Sequence, residues 1–276
     1  MGVKPARRLI VNADDFGRSE SINLAVIRAH CEGILTTASL MVNGAAFGHA
    51  LELAHEHPTL GVGLHLTLAG GRSTLKPTEI PGLVDNHYYF TPSPVWAGLK
   101  YFFFRGLNWQ LRHEILGQFR KFQSTGLVLD HVNGHLNIHL HPSILRILLR
   151  NVDDGRLGRM RLTRDPFLLN AQLAEGRWFY RVSHAMIFGA LSAWARPRLR
   201  RHGVRHTEAV FGLLQNGAVD TAYLTALLAR LPEGDFEVYM HPSLDEFKHE
   251  FEALISDRAQ VLVRDRNIEL IRYQDL

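Results

Sequence analysis

The order of strand and helix signals in this chain predicts an α/β fold, a closed or nearly closed (β/α) barrel of seven or eight parallel strands. Three observations carry that expectation. Short apolar runs alternate with stretches of helical periodicity from residue 9 to residue 273. Four of the apolar runs end in Asp or His, as functional residues do at the carboxyl ends of barrel strands. Neither Gly-x-Gly-x-x-Gly after the first run nor a P-loop is present, which weakens the rival doubly wound nucleotide-binding sheet.

The first run, Leu9-Ile-Val-Asn-Ala-Asp-Asp-Phe-Gly17, reads as a buried strand that ends in two carboxylates. Ser19 can then cap a helix whose apolar positions Ile22, Val26 and Ala29 recur at helical spacing, with Gly33 as its stop. Residues 34–42 are a strand candidate, and residues 45–57 a helix halted by Pro58. Residues 60–68 read as a strand before Gly70-Gly71. An irregular region follows from 72 to about 106, with an aromatic cluster at 101–104. Leu111, Ile115, Phe119 and Phe122 mark one helix face. Strands are then expected at 127–132 and 157–162, with a helix at 142–150 between them. After an Arg-rich interruption the rhythm resumes: strand 209–213, helix 219–231, strand 236–240, one or two helices, and a last strand at 268–273.

Composition bounds the chemistry. At 276 residues the chain can bury a substantial core. Its single cysteine, Cys31, excludes an intramolecular disulfide and a Cys-based zinc site. The basic N-terminus has no following apolar run of signal-peptide length and no myristoylation pattern, so the expected location is cytoplasmic. Seven arginines and no Asp or Glu lie between 177 and 206; removing them from the 31 basic residues leaves 24 against 27 acidic ones. Basic character confined to one segment does not resemble the spread Lys/Arg face of a nucleic-acid binder, and no nucleic-acid partner is expected. These arginines flank an apolar run at 182–195 that is too short to span a bilayer. It fits an interfacial helix on anionic lipid, at the inner membrane surface, or equally a surface helix packed on the domain.

Adjacent carboxylates at the end of a buried strand repel each other and are costly to bury, so Asp14-Asp15 calls for a cation or for a basic role. A solvated turn is the alternative. Histidines decide between them. His65 stands in the apolar segment Gly61-Val-Gly-Leu-His-Leu-Thr-Leu68. Four more, His131, His135, His139 and His141, fall within Asp130-His-Val-Asn-Gly-His-Leu-Asn-Ile-His-Leu-His-Pro142. His241 closes Glu237-Val-Tyr-Met-His-Pro242. A lone His in an apolar strand is usually a satisfied core residue, but this many at strand ends support a mixed Asp/His metal site. His135 and His139 are four apart, yet Gly134 and Pro142 argue against one regular helix. Oxygen and imidazole donors suit zinc, and also cobalt, manganese or nickel.

The runs Val-Asn-Ala-Asp-Asp-Phe-Gly, Gly-Leu-His-Leu-Thr-Leu, Asn-Gly-His-Leu-Asn-Ile-His and Met-His-Pro resemble the YdjC-like carbohydrate deacetylases, relatives of the chitooligosaccharide deacetylases. The likeness runs nearly end to end, through Glu269-Leu-Ile-Arg-Tyr-Gln-Asp-Leu276. It implies one TIM-like barrel domain over residues 1–276, with apolar insertions at about 85–110 and 166–206. Within the family, Ala38-Ser-Leu-Met-Val42 and Leu129-Asp-His-Val-Asn-Gly-His135 are most similar to the hopanoid-biosynthesis-associated branch. The resemblance further implies one divalent ion, zinc first and magnesium also admitted, held by Asp15, His65 and His135. Asp14 would be the catalytic base, and His241 the acid or a substrate-orienting group. His139 and Arg161 would contact substrate. Two departures stand out: Asn133-Gly134 replaces the commoner Asp-Ser, and Asn137 replaces a histidine.

The implied reaction is hydrolysis of an N-acetyl group from an amino sugar. The aromatic region 96–109 and the Arg-flanked segment 178–194 fall between core elements, as lids would. They suggest a lipid-linked substrate such as an N-acetylglucosaminyl hopanoid, reached by peripheral membrane contact; a homodimer interface is the plainer reading of the same residues. A non-catalytic sugar- or lipid-binding descendant, suggested by Asn137, and a metal-dependent phosphoesterase are the rivals. A two-carboxylate glycosidase fits poorly, because adjacent aspartates cannot easily flank one bond.

Overall fold

The computed structural model describes residues 7–150 and 157–276, so the first six residues, with the start of the basic N-terminus, lie outside the described residues. Among the described residues the order is β1 (Arg7–Phe16), α1 (Glu20–Glu32), β2 (Thr37–Leu40), α2 (Phe47–Glu56), β3 (Gly61–Leu66), α3 (Pro94–Phe103), α4 (Asn108–Gln123), β4 (Val132–Gly134) and α5 (Pro142–Arg150). The second half contributes α6 (Phe167–Leu173), α7 (Trp178–Arg201), β5 (Ala209–Phe211), α8 (Thr221–Arg230), β6 (Gly234–Met240), α9 (Lys248–Ile255), α10 (Asp257–Asp265) and β7 (Ile268–Leu270). Every strand pair is parallel, and six strands follow the path β4-β3-β2-β1-β6-β5, with β7 against the start of β1. This is an α/β fold built on a parallel half-barrel of the TIM-like kind. Between its ends, Val132 exchanges backbone hydrogen bonds with Arg159 and Arg161, and Met160 donates to the Arg205 carbonyl (3.0 Å).

The apolar runs became strands for the expected reason. β1 is buried from Arg8 to Phe16 on both faces, as a central parallel strand covered by helices requires. Ser19 Oγ accepts from the Ile22 amide (3.3 Å), and Ile22, Val26 and Ala29 face the core. At Gly33, where α1 stops, a Cβ would lie 2.3 Å from the Leu254 carbonyl, so the close approach of α9 admits only glycine. Inside the barrel, a Cβ on Gly63 would lie 2.5 Å from the His131 ring. That bare position lets His131 sit in the core, fixed by Asp130 Oδ2 (2.9 Å) and Ser39 Oγ (3.0 Å) and stacked on Tyr273 at 4.4 Å.

Three expectations shift. The strand read at 127–132 begins only at Val132, and Val128 is exposed, because the chain reaches β3 only from the hydrogen bond of Asp130 to Val62. Residues 157–162 form isolated bridges instead of a strand, between two neighbours, β4 and β5, that are each three residues long. The region 72–106, read as irregular, contains α3, capped by Ser93 Oγ on the Trp96 amide (3.2 Å) with Pro94 in its first turn.

The Arg-rich segment is mostly helix: α7 runs 24 residues, with Pro197 inside it. Its base is anchored by buried polar groups. Asp165 Oδ2 accepts from the Leu214 amide (3.0 Å), and Asn170 links Asp165 to Tyr223 and to the buried Arg181. Burial pushes the Asp165 carboxyl up to about 7 despite these donors. A carboxyl raised in the fold above its unfolded value of about 3.9 binds a proton more readily folded than unfolded. Stability from this group is therefore full below about pH 4 and falls as pH rises through about 7. Asp165→Asn, which keeps an acceptor for Leu214, should gain thermal stability relative to the parent between pH 4 and 7.5 in calorimetric scans; parallel melting curves across that range would refute the assignment.

Candidate functional site

The chemistry-bearing side chains converge at the carboxyl ends of β1, β3 and β4. β1 delivers Asp14 and Asp15, both almost fully buried; Asp15 has a φ of 65°, a left-handed turn that swings its carboxylate away from that of Asp14. β3 delivers His65, and the residue after β4 is His135. Asp15 Oδ1 lies 2.9 Å from His135 Nδ1 and 3.2 Å from His65 Nε2. One donor atom from each of the three residues falls within 4.8 Å of the others. Arg18 closes the other oxygen of Asp15 at 2.9 Å.

The orientation of the His65 ring follows from its neighbours. Asn133 Nδ2 donates to Asp14 Oδ1 (3.0 Å) and to Ser39 Oγ (2.8 Å), so its amide oxygen is the atom facing His65 Nδ1 at 2.7 Å. Nδ1 therefore carries a hydrogen, and Nε2 is the ring nitrogen left to face the Asp15 carboxylate. One carboxylate and two imidazoles, with the Asn133 amide fixing one ring, fit a divalent ion such as zinc.

Asp14 lies beside the triad, its Oδ1 3.9 Å from His65 Nδ1. Arg161 grips it bidentately, Nη1 to Oδ2 at 2.7 Å and Nη2 to Oδ1 at 3.0 Å, and Asn12 Nδ2 (2.8 Å) joins Asn133 in donating to Oδ1. Burial opposes ionisation, but the Arg161 guanidinium and His65 outweigh it and hold the carboxyl well below the usual range. Arg161 also binds Glu237 Oε1 (2.9 Å from Nε) and lies over the Tyr239 ring at 4.2 Å. Glu237 in turn accepts from the Tyr273 hydroxyl.

The remaining candidates are placed as follows. Arg161 and His139, expected from the resemblance to contact substrate, are both fully buried; His139 Nε2 lies 3.1 Å from the Arg161 carbonyl oxygen, and burial together with the Arg161 charge pushes its ring down to about 3. His241 is half-buried at the end of β6, edge-on to Tyr239, and its amide donates to the buried Glu250 carboxylate. Asn137, with a φ of 55°, accepts from Thr163 Oγ1 (2.8 Å) and is not among the triad. Glu237 and Ser39 were not singled out from sequence, and Asn133 stood out there only as a departure from the commoner family pattern. Of the first two, Glu237 alone carried a signal, as an acidic residue within an apolar strand.

Beside the triad opens a largely apolar cleft of about 290 Å³. Its walls include Val95 and Gly98 of α3, Leu136 and Asn137 directly after His135, and Tyr180 and Ile187 of α7. The two insertions thus meet next to the candidate metal ligands.

A family model described as YdjC-like protein matches residues 8–265. A carbohydrate deacetylase of Brevibacillus brevis (strain 47 / JCM 6285 / NBRC 100599) is 39% identical over 165 residues, 60% of this chain and 62% of that one. A carbohydrate deacetylase of Geobacillus stearothermophilus is 35% identical over 152 residues, 55% of this chain and 58% of that one. The chain thus spans about three-fifths of the length of these relatives. A solved protein of Enterococcus faecalis V583, named for cellobiose-phosphate cleavage, superposes with a TM-score of 0.74 over 98% of both chains at 23% identity, a likeness of fold.

The role of Asn133 is directly measurable. Asn133→Ala leaves Asp15, His65 and His135 in place but frees the His65 ring. Zinc affinity, read by competition with a chromophoric chelator, should fall by roughly ten- to hundredfold; unchanged affinity in a folded variant would show that the amide does not orient the ring.

Proposed function

This chain belongs to the YdjC-like family, and from that premise we propose that it is a metal-dependent hydrolase removing an N-acetyl group from an amino sugar. The observation that carries the reading is the pairing of an Asp/His/His donor set with a separate carboxylate beside it, gripped by Arg161. The names of the relatives, carbohydrate deacetylases, support the substrate class.

Asp15, His65 and His135 would hold one divalent ion, with zinc the first choice for these donors. When bound, such an ion supplies Lewis acidity: it lowers the pKa of water and draws charge from the acetyl carbonyl. Asp14 is the general base that takes the water proton, and its engagement by Arg161 keeps it charged and aimed. His241 delivers a proton to the departing amine, so that the sugar leaves as a neutral amino group. Glu250 holds the backbone of His241 from behind, with its carboxylate 3.8 Å from Nδ1. Arg161 acts on the base rather than on the sugar, and His139 supports the carbonyl of Arg161 from within the core.

The aglycone is a lipid, and an N-acetylglucosaminyl hopanoid is the substrate proposed. The apolar walls of the cleft beside the triad favour it, since a free chitooligosaccharide would leave Val95, Leu136 and Ile187 facing a polar ligand. Asn137 does not argue for lost activity, because the three donors are complete without it.

Asp14→Asn separates the roles of the paired aspartates. Acetate release should fall by at least about a hundredfold, the order expected for loss of a general base, with metal content unchanged. Loss of the metal along with activity would reassign Asp14 as a ligand.

A further inference from the structure

Residues 94–113 and 176–206 share three properties. Neither segment contains Asp or Glu. Each contributes one wall of the cleft beside the triad. Each also presents large apolar side chains to solvent on the side away from its own packing. On α3, Ala97 and Tyr101 face the core, whereas Trp96, Leu99, Phe102 and Phe103 face out, Phe103 at 69% exposure. On the first half of α7, Phe179, Val182 and Met186 recur at helical spacing on one stripe, Phe179 at 89% and Met186 at 70%. Single exposed apolar residues are ordinary on a folded protein; aromatic clusters at this exposure on two helices around one cleft mark an interaction surface.

We propose that α3 and the first half of α7 form a docking surface for the face of a bilayer that contains anionic lipid. Charge selects this occupant. The basic residues among and beside the exposed rings, Lys100, Arg105, Arg112 and Arg177, outnumber the acidic ones beside them, of which Glu175 is exposed next to Arg177, and this excess suits an anionic headgroup layer. Tryptophan and phenylalanine at headgroup depth, with arginine beside them, is the composition of an interfacial helix. Among the described residues no helix is long and apolar enough to cross a membrane. Docking there places the cleft between the two helices beside the lipid phase, which deepens the reading that the aglycone is lipid and rests on it for its purpose.

The test is co-sedimentation of the full chain with phosphatidylcholine vesicles, with and without phosphatidylglycerol, read also by the emission of the exposed Trp96, Trp109 and Trp178. Binding to the mixed vesicles should exceed binding to neutral ones by roughly ten-fold, weaken with salt and shift tryptophan emission to the blue. The double variant Phe103→Glu, Phe179→Glu should lose at least about ten-fold in vesicle affinity, with unchanged circular dichroism. Its acetate release from short N-acetylglucosamine oligomers in solution should stay at the parent's level, since neither residue lines the cleft. Absence of binding to either vesicle would overturn the proposal. So would a concentration-dependent dimer dissolved by the same two substitutions, which would give the surface to a second copy of the chain. Vesicle binding is measured without substrate, so its failure and a failure of the deacetylase reading are separate results.

Discussion

The constraint on which the rest of the site depends is the burial of Arg161. A guanidinium with no exposed surface needs opposite charge at hydrogen-bonding distance, and it finds two carboxylates, Asp14 and Glu237, and a ring face, Tyr239. Removing it would leave two buried carboxylates uncompensated, a loss on the order of 3–5 kcal/mol. The same pairing holds Asp14 in its charged form. The Asp15, His65 and His135 donor set stands next to it, at the end of the same strand and its neighbours.

Asn133 joins the two halves. Its amide hydrogens go to Asp14 and Ser39, and its oxygen to His65, so one side chain holds both Asp14 and the His65 ring. Asn133 is one of the two departures from the commoner family pattern, and at this position it has a full set of partners. Asn137, the other departure, lies on the cleft wall, turned toward Thr163. The left-handed backbone at Leu136 and Asn137 carries the chain from His135, at the triad, to His139, in the core.

Much of this was legible in the sequence because the informative residues break a local rule. Two aspartates ending an apolar strand, and histidines ending two others, stand out against their neighbours, and β1, β3 and β4 bring them together. What was hidden depends on separation in the chain. Asn133, Ser39 and Tyr273 are ordinary residue types whose importance exists only once β2, β4 and the C-terminal turn meet inside the barrel. The late start of β4 was hidden too, since the run at 127–132 has strand composition but contacts β3 only near its end. The capping signal of α3, Ser93 followed by Pro94, was present and was masked by the turn residues around it. The insertions were recognisable as apolar interruptions. Their meeting in one cleft beside the triad was not.

The reading of the whole molecule, a hydrolytic centre at the barrel mouth beside an apolar aglycone cleft, is tested most directly by acetate release from two substrates. The metal-reconstituted chain is compared on an N-acetylglucosaminyl lipid and on short N-acetylglucosamine oligomers, in the same detergent. The expected result is release from both, with kcat/KM at least about ten-fold higher for the lipid, the gain from burying part of an apolar aglycone. Equal values would contradict the role of the cleft, and no acetate from either substrate with the metal bound would contradict the deacetylase reading itself.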